Sequence, residues 1–208
     1  MVFEYKMGLG LIAPLGAMFI VGPSGALVIS WCSELFGTWQ KKIFLDKFAW
    51  QMSRLATILT LGLFLTFVIL GAGSYFLDLP FSGLKKQAQD FFLVAGALLT
   101  LSAILLVFYW SLWQKLKKNK GIHLLLGVLA VCCLKIFLVV LIFAGYFHAA
   151  PEAVAQQIFI AGFPLPPLTS LIYPLGLQTL ILSVTAGASL ALLYLLLRRN
   201  LDDFGRDY

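Results

Sequence analysis

The chain has 208 residues, of which 61% are hydrophobic and only 12% charged, with a net charge of +6. Soluble domains average about 25% charged residues, so a water-soluble globule is excluded and lipid must solvate most of the surface. The positive balance does not indicate nucleic acid, because the charges fall in short gaps between apolar runs. No polar stretch is long enough to fold by itself, so a single membrane domain covering 1–208 is expected.

Five apolar runs follow one another at about 9–36, 52–77, 91–113, 122–147 and 176–197. Each can cross a hydrocarbon core, which takes about 20 helical residues. None alternates like a barrel strand, and backbone groups in lipid must bond within their own segment. The predicted fold class is therefore all-α, an integral membrane bundle of five transmembrane helices. The first run does not read as a cleaved leader, since Glu4 and Lys6 precede it and it continues to Phe36. It carries Pro14 and Pro23 together with Gly16, Gly22 and Gly25. Proline can kink a helix, and glycine lets a neighbour approach closely. The fifth run has Ser183 and Gly187 four residues apart, a small-residue packing face.

Basic residues set the orientation. Lys41, Lys42, Lys47 and Arg54 mark the first connection, Lys115, Lys117, Lys118 and Lys120 the third, and Arg198, Arg199 and Arg206 the tail. These are eleven of the fifteen Lys and Arg residues. The N-terminus is expected outside and the C-terminus in the cytoplasm. Trp31, Trp39, Trp50, Trp110 and Trp113 are expected at the inner headgroup level, with Tyr75, Tyr146 and Tyr173 at the outer one. The outer segment 148–175 has no basic residue. Its apolar piece, 153–163, is too short to span. It is expected as an interfacial helix, with a re-entrant dip as the alternative.

Lys135 lies at the midpoint of the fourth run. A charge at that depth costs at least ~2.5–3.5 kcal/mol on insertion scales, so it should face protein, water or a partner charge. No acid lies near mid-depth in any run. Lys135 is then structural or a subunit contact, or else it serves a proton, ion or ligand. Its helix face includes Gly127 and Cys132, which are expected to supply close approach. Glu34, closing the first run, and Arg54, opening the second, are expected to pair with each other.

His123 and His148 flank the fourth run, 25 residues apart. That is roughly 37 Å at 1.5 Å per helical residue, so they cannot grip two faces of one haem. Each is an interface histidine, or a haem ligand with help from another helix or subunit. Cys32, Cys132 and Cys133 show neither a CxxC pair nor a metal spacing, and a packing role is expected. The sequence has no Gly-rich phosphate loop, no paired carboxylates on one span and no HExxH, so no catalytic residue and no metal site is assigned. Asp202, Asp203 and Asp207 join the tail arginines in a docking patch or a solvated end.

Span one contains Gly22-Pro23 and ends in Trp31-Cys32-Ser33-Glu34-Leu35. Lys41-Lys42-Ile43-Phe44 and then Asp46-Lys47-Phe48-Ala49-Trp50-Gln51-Met52-Ser53-Arg54 follow. Residues 10–75 resemble the first two helices of the large subunit of cytochrome bd-type quinol oxidases. The resemblance implies a helical scaffold within a membrane electron-transfer complex. Where that family has a haem-ligating histidine this chain has Met18, and the family's quinol loop is missing.

These features together suggest a non-catalytic or cofactor-assisting subunit of a multi-subunit respiratory complex in a bacterial cytoplasmic membrane. It would contact the lipid bilayer and other membrane subunits, or further copies of itself. A haem or quinone would be shared with a partner, with His123, His148 and Met18 as the candidate cofactor residues. The alternative is a small transporter or channel using Lys135 for an anionic substrate or a proton relay.

Overall fold

The computed structural model describes the backbone of residues 2–76, 86–149, 158–160, 163–165 and 170–198, and the side chains of 16–72, 90–116, 119–146 and 170–197. The architecture is all-α. Five helices carry it: α1 (Val2–Gln40), α2 (Ile43–Phe76), α3 (Lys86–Ser111), α4 (Lys120–Ala149) and α5 (Ile172–Arg198). All five are long and apolar enough to cross a bilayer, as expected of an integral membrane protein. They match the five apolar runs, and α2 begins nine residues before its run, at Ile43. The early start is amphipathic: Ala49 and Met52 are buried while Trp50 is exposed, and Asp46 in the first turn complements the helix dipole.

α1 continues through both Pro14 and Pro23 without a break in its helical assignment. It ends at a left-handed residue, Lys41 (φ 55°), and the Lys42 N–H donates back to the Gly37 carbonyl at 3.1 Å. That six-to-one bond is the Schellman way of closing a helix. A 3-10 turn, Lys115–Lys118, joins α3 to α4.

α1 lies at the centre, packing on α2, α4 and α5, while α3 bridges α2 and α4. Four helices thus enclose a core, and α5 docks on the outside against α1 and α4. Small residues set the spacing. Ala26, Ala49, Ala56, Ala95 and Ala130 are fully buried, and Leu99, Leu106, Leu134 and Phe137 fill between them. Without a hydrophobic force between helices in lipid, this close packing carries much of the association. Ser30 of α1 adds a tie by donating to the Ala49 carbonyl of α2 at 2.7 Å.

The far end of the bundle is closed by rings. Phe91 meets Phe143 edge-on at 6.2 Å, and Phe143 meets Tyr173 of α5 at 6.2 Å.

The segment after α4 departs from expectation. Ile158–Ile160 (β1) and Phe163–Leu165 (β2) pair antiparallel, with Ile158 opposite Leu165, rather than forming an interfacial helix. The residue types explain this. Ile158, Phe159 and Ile160 favour extended backbone, and Pro164 cannot donate within a helix interior. The rest of 150–169, and the tail acids Asp202, Asp203 and Asp207, lie outside the described residues.

Two of the five tryptophans pack between helices. Trp113 is buried, and Trp31 of α1 donates its indole N–H to the Leu124 carbonyl of α4 at 3.1 Å. They are packing groups between helices. Trp39 is 77% exposed, as a belt residue would be.

Candidate functional site

The polar centre of the bundle lies where α1 ends and α4 begins. Glu34 is fully buried there, and both of its carboxylate oxygens are taken. The Tyr109 hydroxyl of α3 donates to Oε2 at 2.6 Å. His123 Nδ1 lies 2.7 Å from Oε1, and Lys120 Nζ, one helical turn earlier on α4, donates to the same oxygen at 3.4 Å. Lys120 also pairs with Asp46 of α2. Four helices therefore contribute one charged or hydroxylic side chain or more to a single network.

Local structure explains the convergence. Lys120 and His123 are three residues apart, so they share a face of the first turn of α4. The small side of α4 at Gly127 draws its neighbours in. A Cβ there would lie 2.7 Å from Trp31 Cδ1 and 2.9 Å from Tyr109 Cε2. The His123 ring consequently stacks on Tyr109 at 4.4 Å and meets Trp113 edge-on at 4.6 Å. Lys120 Nζ sits 5.2 Å from the Trp113 ring centre, within cation–π range. His123 Nε2 lies 2.8 Å from the Tyr109 carbonyl.

The expected Glu34–Arg54 pair does not form. Arg54 is exposed, on the opposite side of α2 from the buried Ala49 and Met52, and Glu34 turns inward to α3 and α4. Proximity of the two helix ends in sequence suggested the pair, but the helix rotation that buries Ala49, Met52 and Ala56 carries Arg54 outward. Tyr109, Lys120 and Asp46 do not stand out in the sequence as site residues. A signal for them exists all the same: a boundary acid on one helix requires donors on its neighbours, and α4 opens with Lys120 and His123.

Lys135 forms a second centre, between α4 and α5. Its amine donates to the Ser183 hydroxyl and, at 3.2 Å, to the Leu180 carbonyl. Ser183 passes its own hydrogen to the Leu180 carbonyl at 2.7 Å. Lys135 therefore finds its partners within the chain, and both are neutral. Among the described residues it makes no ion pair. Cys132, expected to supply close approach beside it, is instead exposed, while Cys32 and Cys133 are partly buried.

The small-residue faces are also satisfied internally. A Cβ on Gly25 would lie 1.7 Å from the Ser183 carbonyl oxygen, and one on Gly187 would lie 2.1 Å from the Gly25 carbonyl carbon. The backbones of α1 and α5 touch at this crossing.

The candidate cofactor residues do not come together. Both ring nitrogens of His123 face oxygens of this chain, so neither is free for iron. Met18 is 38% exposed on α1, at the bundle surface. The backbone of His148 is in the last turn of α4, and its side chain lies outside the described residues. The described donor set does not fit a haem, and no group of three or more His, Cys, Asp or Glu suited to a metal occurs among the described residues.

Comparison of the chain with protein-family models, with curated proteins and with solved structures found no match.

Proposed function

We propose that the chain is a structural subunit of a larger membrane complex, and that its helices scaffold a site completed by other chains. The observation that carries this reading is the closure of the Glu34 network. Both Glu34 oxygens and both His123 nitrogens bond to groups of the same chain, so the most polar site among the described residues is committed to holding four helices together. The bulk of the remaining described surface is apolar side chain, suited to lipid or to other helices.

The likeness of residues 10–75 to the helical scaffold of quinol oxidases supports a respiratory setting in a bacterial cytoplasmic membrane. Any haem or quinone would then be bound chiefly by the partner. The bias of eleven basic residues supports an outside N-terminus and a cytoplasmic C-terminus. Purification in a mild detergent, with mass spectrometry of co-purifying chains, a visible spectrum and quinone extraction, tests the assignment. Stoichiometric partner subunits with bound haem or quinone are expected. A colourless single-chain species that moves a solute across liposomes unaided would overturn it. Cysteine labelling in intact cells checks the orientation: residue 155 should react from outside and residue 118 should not.

One observation favours a second reading, a small transporter. The Lys135 amine bridges α4 and α5 with only neutral acceptors, and an anion or a mobile proton would complete it. Loss of liposome transport in Lys135→Met, with the fold intact, would support that reading.

A further inference from the structure

The hydrogens around His123 can be counted. A carbonyl and a carboxylate only accept, and a neutral imidazole carries a single N–H. Nδ1 faces Glu34 Oε1 at 2.7 Å and Nε2 faces the Tyr109 carbonyl at 2.8 Å. In either neutral tautomer, one ring nitrogen would direct its lone pair at an ionised or carbonyl oxygen at hydrogen-bonding distance. One more proton removes the conflict.

Two further observations place that proton on the ring. Glu34 already accepts from the Tyr109 hydroxyl on Oε2 and from Lys120 on Oε1, so both of its oxygens serve as acceptors. The Tyr109 carbonyl belongs to the last turn of α3, where helical carbonyls lack partners. Its regular partner, the Trp113 N–H, bonds the Trp110 carbonyl at 3.4 Å instead. His123 therefore caps the C-terminal end of α3, where the helix dipole favours a cation. Charge agrees. With a neutral ring, Glu34 and Asp46 face Lys120 alone; with an imidazolium, two anions face two cations.

We propose that Glu34 and His123 form a proton-binding site that keeps His123 as an imidazolium. Glu34 of α1, Asp46 of α2, Tyr109 of α3 and Lys120 of α4 are the charged and titratable groups around the ring. The site is sealed from lipid and water at its centre, with side-chain exposure of 0% for Glu34 and 2% for His123. Lys120 at 24% and Asp46 at 26% reach the surface. Water at this end of the bundle supplies the proton past that pair, and uptake forms one N–H bond and breaks none within the protein. The count depends on the donors and acceptors of this chain alone, so it stands whether or not partner subunits exist.

Nitrogen NMR of the full chain in lipid nanodiscs tests the site directly. The ligand is the proton itself, read on 15N-labelled histidine at pH 7.5. The chain has two histidines, so a His148→Gln background leaves one signal set. If that variant expresses poorly, the signals absent from His123→Gln identify the same ring in the unaltered chain. Both nitrogens of His123 should read as N–H. In Glu34→Gln the amide can donate to Nδ1, and one nitrogen should become bare while Nε2 keeps its hydrogen. A bare nitrogen in the unaltered chain at pH 7.5 would overturn the proposal, as would two N–H signals persisting in Glu34→Gln.

Discussion

The two interhelical junctions of this bundle are built from opposite chemistry. At one end, α1, α2, α3 and α4 are clasped by Glu34, Asp46, Tyr109, Lys120 and His123, with carboxylates and cations in contact. At mid-bundle, α5 is held to α1 by bare backbone, at Gly25 and Gly187. The first junction is specific because each partner needs the others; removing one strands a buried charge. The second depends on the absence of side chains. The first should therefore be sensitive to deleting atoms, and the second to adding them.

The largest effect is expected from Glu34→Ala. It leaves Lys120 and His123 without their shared acceptor in a buried site. Breaking a buried pair by removing one partner costs about 3–5 kcal/mol. Glu34→Gln should cost much less, since an amide still accepts from the Tyr109 hydroxyl and can donate to His123. Unfolding of both variants by SDS titration in mixed micelles measures the gap. Equal losses would mean that the negative charge itself, and not the shape and hydrogen bonds an amide keeps, holds the clasp.

At the second junction, Gly25→Ala adds one methyl where the Ser183 carbonyl oxygen would be 1.7 Å away. Overpacking typically costs about 1–3 kcal/mol, and here the obstacle is backbone, which cannot rotate aside. Gly16, where an added methyl would meet nothing within 4 Å, is the control. Gly16→Ala should be neutral or slightly stabilising, because glycine inside a helix costs roughly 0.5–1 kcal/mol relative to alanine. A disulfide or chemical cross-link between α1 and α5 should form less readily in Gly25→Ala alone.

Much of this comparison is legible in the sequence, and the rest is hidden for a definite reason. Apolar run length alone specifies five helices, because lipid leaves the backbone few alternatives. The small residues of the first and fifth runs announce a close crossing, but not that they meet each other. Which faces meet depends on helix rotation, and a run that is apolar all round carries almost no rotational signal. The same gap explains Arg54. Its position in the chain is close to Glu34, yet a helix rotated to bury Ala49, Met52 and Ala56 turns it outward. The segment after α4 misleads for another reason: an apolar stretch too short to span carries little periodicity, and β1–β2 pairing follows its Ile and Phe content.

Lys135 sharpens the comparison, since it is a charge-capable group at the junction otherwise made of backbone. Its acceptors are Ser183 and the Leu180 carbonyl, and Ser183 keeps its own bond to that carbonyl without the lysine. Removing the amine strands no charge, unlike Glu34→Ala. Lys135→Met should therefore be tolerated and should raise stability by about 1 kcal/mol, because a half-buried amine with only neutral acceptors carries a desolvation cost that an apolar side chain of similar length does not. The SDS midpoint is again the measure. A loss of similar size would show that the amine tethers α4 to α5.

The smallest effect concerns the chain reversal that brings Asp46 under Glu34. Lys41 sits there in the left-handed region at φ 55°, and the Lys42 N–H closes the turn on the Gly37 carbonyl. A left-handed conformation costs an L-residue about 1–2 kcal/mol, a strain that glycine does not carry. Glycine in turn loses more freedom on folding, roughly 0.5–1 kcal/mol, which offsets part of the gain. Lys41→Gly should therefore stabilise by about 0.5–1 kcal/mol. It also removes one of the basic residues at this end, so stability and topology must be read separately. A midpoint that rises with labelling unchanged shows relief of backbone strain. A midpoint that falls would mean that the lysine side chain itself supports the turn, and that the clasp reaches one residue beyond α1.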